Sequence, residues 1–129
     1  MVSTNGLAGK RVRLCFNIVR GSPLGDDLWE CYKGERLTRE EFGRLIGWMI
    51  SQANPLWQKI AEGRREFDER AEQDFLRALQ THHLWIAVQQ QQITIKELME
   101  ALCHQARQAL TPEEEDALLG ILLQELLKG

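Results

Sequence analysis

Two adjacent pairs, His82-His83 and Cys103-His104, are the only groupings in this chain with metal-ligand chemistry. Neighbours in a helical sequence point about 100° apart, whereas a chelating pair sits four residues apart on one face. Neither pair makes a metal site by itself, so no metal and no cofactor are expected. Cys31 is the one nucleophile worth weighing, but no Ser/His/Asp, Cys/His or paired-carboxylate spacing surrounds it. The acids Glu66, Asp68, Glu69, Glu72 and Asp74 alternate with Arg64, Arg65, Arg70 and Arg77. Glu66 and Arg70 stand four apart, the spacing of a salt-bridged, solvated helix face. Gly21 to Gly25 reads GSPLG and lacks the lysine of a phosphate loop. No catalytic residues are assigned, and the chain is expected not to be an enzyme.

At 129 residues the chain has the length of one domain and can build its own core without staples. Its three cysteines, Cys15, Cys31 and Cys103, form no ligand or disulfide pattern and suit reduced thiols in the cytoplasm. Residues 1 to 10 lack the charged and apolar regions of a signal peptide, and no apolar run approaches the ~18 residues of a membrane span. The net charge is −3, yet the cations Lys10, Arg11, Arg13, Arg20, Lys33, Arg36, Arg39 and Arg44 crowd the first third. That third alone offers charge for phosphate.

The elements that must position these residues announce themselves by their caps. Thr38 with Glu41, Thr94 with Glu97 and Thr111 with Glu114 each have the spacing of a capping box ahead of an apolar stripe. Pro112 and the carboxylates Glu113 to Asp116 strengthen the third start. The stripe Phe42, Leu45, Ile46, Met49, Ile50, Ala53 predicts one helix, Asn54-Pro55 ends it and starts another, and Gly63 is placed to break the next stretch. Residues 81 to 92 fit either a short helix or a strand. Ile95, Leu98, Met99, Leu102, Ala106, Ala109 and Leu110 make a further stripe, expected to pair with the final helix as a hairpin over 94–128.

The first third reads differently. Val12, Leu14, Phe16 and Ile18 alternate with Arg11, Arg13, Cys15 and Asn17, the period of a half-buried strand. Trp29 to Lys33 reads as a second strand after the turn at Pro23 and Gly25. The fold expected is therefore mainly α (α+β): a flexible tail over 1–9, then a single domain over 10–129. In it, an N-terminal two-stranded β-hairpin (10–34) packs on a bundle of four to five helices.

The segment from Thr38 to Gly47, TREEFGRLIG, resembles the first helix of the helix-turn-helix in phage-repressor-like transcriptional regulators. Trp57 to Arg65, WQKIAEGRR, is similar to the end of their recognition helix. The resemblance covers about thirty residues, with a spacing to Gly63 about three residues longer than the motif's compact turn. It implies a DNA-binding regulator using residues 38–65, with Asn54, Gln58, Lys59, Arg64 and Arg65 facing the duplex. Lys10, Arg11 and Arg13 on the supposed strand add a second basic surface for nucleic acid.

The leading expectation is a small, non-enzymatic adaptor or regulator that binds another macromolecule, most simply a protein, with homodimerisation as part of that reading and a DNA-binding regulator using residues 38–65 as the alternative. The final helix is apolar around most of its circumference, so Leu119, Ile121, Leu123 and Leu127 are the expected self-association surface. Trp48 and Trp57 are expected to meet a partner, as exposed tryptophans often anchor interfaces. No membrane partner is expected.

Overall fold

The computed structural model describes residues 4–105 and 110–128. They form α1 (Thr4–Arg20), α2 (Gly25–Lys33), α3 (Arg39–Ser51), α4 (Asn54–Ala61), α5 (Glu69–Gln80), α6 (His83–Gln89), α7 (Ile95–Gln105) and α8 (Pro112–Leu127). All three threonine boxes are made. The Thr38, Thr94 and Thr111 hydroxyls accept from the amides of Glu41, Glu97 and Glu114 at 3.1, 3.2 and 3.2 Å. Each glutamate accepts in return from its threonine's own N–H at 3.0, 3.0 and 2.9 Å.

The β-hairpin expected over residues 10–34 does not exist: no strand occurs among the described residues, and this segment folds as α1 and α2. The residues that decide it are Cys15 and Val19. Together with Ala8, Val12 and Phe16 they form one buried stripe of helical period, and all five are core. The alternation of Val12, Leu14, Phe16 and Ile18 is real but incidental, because Leu14 and Ile18 lie only half-buried on the flank of that stripe. In α2, Leu28 and Trp29 are buried with Tyr32 packed beside them, again a helical face. The tail expected over residues 1–9 is taken up by α1 from Thr4 onward, where Leu7 and Ala8 are already buried.

Gly25 makes the α1–α2 joint possible. A Cβ there would lie 2.2 Å from the Val19 carbonyl oxygen and 2.9 Å from that of Arg20, so only glycine admits the approach. Gly63 does break the central stretch: at φ 76° it is the left-handed residue after α4. Its N–H donates to the Ile60 carbonyl and the Arg64 N–H to that of Lys59, the Schellman pattern. Residues 81–92, open between helix and strand, contain α6.

α3 runs through the centre, with Phe42, Leu45, Ile46 and Met49 all buried. α1, α7 and α8 pack around it, and the most extensive packing of one helix on another is that of α1 on α8. α7 and α8, expected to pair as a hairpin, both lie against α3; Ala106 and Ala109 fall outside the described residues. One aromatic cluster joins Phe16, Trp29, Tyr32 and Phe42, with Phe16 stacked on Phe42 at 6.0 Å. A second joins Trp57 to Phe67 and Phe75 at 5.8 and 5.2 Å.

Candidate functional site

Two surface features stand out from this bundle. The first is the outer face of α8. Its inner face is set by Glu114, Leu118, Ile121 and Leu122, all buried against the other helices. Leu123, Leu126 and Leu127 project the other way and are 52, 41 and 87 % exposed, with Leu119 half-buried in line with them. Three leucines on one helical face is an apolar stripe that the described residues leave uncovered.

The second is an open groove of about 970 Å³ between α2 and α7. Leu24, Leu37 and Met99 supply a buried apolar floor, Ile93 and Ile95 its half-buried edge. Asp27, Glu30, Glu100, Arg36 and Lys96 give it a lining of mixed charge, and Cys31 and Cys103 line it as well. The Arg44 guanidinium donates to Cys103 Sγ at 2.9 Å. No group of three or more metal-ligating side chains forms among the described residues.

The expected interface residues are distributed unevenly. Of the self-association set, Leu123 and Leu127 are exposed and Leu119 is half-buried, but Ile121 belongs to the core. Trp48 and Trp57 are also core, which corrects their assignment to a partner surface. Trp48 sits on the helix that the others surround, and Trp57 turns inward because its indole N–H donates to the Ile50 carbonyl at 2.7 Å. Burial removes both from any contact a partner could make.

The cations expected at nucleic acid are largely occupied. Arg11 pairs with buried Glu114 at 3.1 Å, and its guanidinium lies 5.9 Å from the Trp57 ring centre. Arg13 donates to Gln124 and reaches Glu125, tying α1 to α8. Lys10 is exposed above the Phe67 ring. Arg64 pairs with Glu62 and Arg65 with Asp74, each at 2.6 Å. The Arg65 partner holds the Asp74 carboxyl below the usual carboxylate range, its hydrogen bond being the main cause. Asn54, Gln58 and Lys59 are exposed together on α4, with Gln58 bonded to Glu62. Arg11 and Arg13, meant to share a strand face, instead lie on a helix packed against α8.

Sequence reasoning missed three relationships: Arg11 with Glu114, Arg44 with Cys103, and His82 with Leu84. The first two join residues 103 and 59 positions apart, so no local pattern signals them. The third has a local signal, since His82 stands two residues before the apolar run that opens at Leu84 and an imidazole nitrogen can accept from a helix amide.

No family model, no curated protein and no solved structure matches this chain.

Proposed function

We propose that this chain is a non-enzymatic binding protein, an adaptor or regulator that docks on another protein through the outer face of α8. The observation that carries this reading is the exposure of Leu123, Leu126 and Leu127 on a helix whose opposite face is core. Covering those three side chains is worth on the order of 5 kcal/mol. A micromolar complex needs about 8 kcal/mol, so the stripe supplies the centre of an interface and polar neighbours supply its rim. Glu115 and Asp116 are exposed on the same helix and suit that rim. Three free cysteines fit a reducing compartment, and the reading places the protein in the cytoplasm. No helix among the described residues is long and apolar enough to cross a membrane.

The test combines sedimentation of the purified chain with capture from native lysate, with and without nuclease, using the original sequence beside a Leu123→Ser, Leu127→Ser double variant. A stoichiometric protein that survives nuclease and is lost with the double variant supports the adaptor. A dimer that dissociates in the double variant assigns the stripe to a second copy. Nucleic acid in the eluate, unaffected by the leucine changes, overturns the reading in favour of residues 38–65.

A further inference from the structure

α6 is held at its start by an imidazole. Among the described helices it is the one whose cap is a histidine: His82 Nδ1 accepts from the Leu84 N–H at 3.1 Å, while the His82 N–H donates to the Leu79 carbonyl at 3.1 Å. Seven residues are too few to be helical without packing and caps, so α6 depends on this bond more than a long helix would. It carries Leu84, Trp85 and Val88 into the core and packs on α5. The acceptor exists only while the imidazole is neutral, because an imidazolium has N–H groups on both nitrogens and no lone pair to offer.

Three further features act on the same ring. His83 stacks on it at 4.5 Å with the planes 23° apart, so a charge on both rings is repulsive. The positive end of the α6 dipole opposes a cation at the cap. Trp48 of α3 stands perpendicular at 5.0 Å, an aromatic ring that attracts a cation and so acts against the other two. From α5 and the turn that follows it, the groups beside His82 are the Leu79 carbonyl and uncharged Thr81, and among the described residues the charge that bears on it is that of His83. The net effect holds His82 below the ordinary imidazole value, with burial the larger cause and His83 the second.

We infer that His82 is an acid-sensitive latch: protonation abolishes the cap on Leu84 and sets His82 against His83, loosening the start of α6. The direction follows from linkage. The unfolded chain takes up this proton near pH 6.5, before the folded chain does, so stability is full above that pH. It falls as the pH drops through 6.5 toward the lower folded value, and below that value the loss is complete.

The experiment is a titration of the whole protein from pH 8 to 5, following amide protection in α6, the His82 and His83 ring signals by NMR, and tryptophan emission. The latch predicts that protection at Leu84 to Val88 falls roughly fivefold, the scale of one lost cap. That fall should run together with protonation of His82 and with a change in emission. His82→Asn keeps an acceptor at the cap but cannot titrate, and is expected to abolish the transition while preserving the fold at pH 8. His83→Gln removes the like charge and is expected to move the midpoint upward. An unchanged transition in His82→Asn, or His82 titrating without any response at Leu84, would overturn the inference.

Discussion

The Arg11 guanidinium donates to the Glu114 carboxylate at 3.1 Å, joining the first and last helices of the described chain inside the fold. The two side chains are 16 and 8 % exposed, and the other Glu114 oxygen completes the capping box with Thr111. One carboxylate therefore sets both the start of α8 and its attachment to α1. Glutamine at this position keeps the cap geometry but removes the charge. Glu114→Gln is expected to cost about 3 kcal/mol, because it leaves Arg11 charged, desolvated and unpaired. Urea denaturation measures this. A loss no larger than that of an exposed pair would show that solvent reaches Arg11.

The α1–α2 joint gives a matched pair of glycine changes. Gly25→Ala is expected to destabilise by about 3 kcal/mol, since its methyl meets backbone oxygen that cannot give way. Gly120→Ala on exposed α8 meets nothing within 4 Å and is expected to stabilise by about 0.5 kcal/mol through helix propensity. Thermal unfolding of the two variants should move in opposite directions.

Two helices end in a left-handed residue that is not glycine. Glu35 at φ 61° follows α2 and Gln91 at φ 56° follows α6, each closing the same pattern that Gly63 closes after α4. Gly34 stands one residue too early to serve there. Glu35→Gly and Gln91→Gly are each expected to stabilise by about 1 kcal/mol, relief of the left-handed penalty outweighing the entropy of glycine. Denaturant midpoints are the readout.

The three thiols should separate by rate. Cys103 is exposed, with a guanidinium on its sulfur; Cys31 is half-buried in the groove; Cys15 is fully buried, and burial pushes its thiol well up. Alkylation followed by mass spectrometry is expected to modify Cys103 first, Cys31 next and Cys15 only on unfolding. Arg44→Ala is expected to change the Cys103 rate while leaving Cys31 as it was.

Helices were legible where a cap and a stripe coincide. Thr38, Thr94 and Thr111 locate three starts and Gly63 an end, because each rests on bonds made within a few residues; Asn54-Pro55 marks a fourth start through the fixed φ of proline, with no side-chain cap bond. α1 was misread since a run of apolar residues at every second position also fills much of a helical face. Cys15 and Val19 carry the answer: the alternation puts Cys15 on the polar side, whereas the helix buries both. The site was less legible than the fold. Which of the leucines in α8 face outward depends on where α1 and α3 lie, and which cations are free depends on acids distant in sequence. Trp48 and Trp57 show the same limit: their type suits an interface, and only the packing of α3 and α4 places them in the core.

The packing of α1 on α8 also orders events in time. As the chain is made, Val12, Cys15, Phe16 and Val19 emerge early, yet their main covering helix and the carboxylate that receives Arg11 come about a hundred residues later. Closure over that separation is slow compared with forming any one helix. The core thus completes as a unit after α8 has been synthesised, and the interval before then is when the nascent chain most needs protection from aggregation.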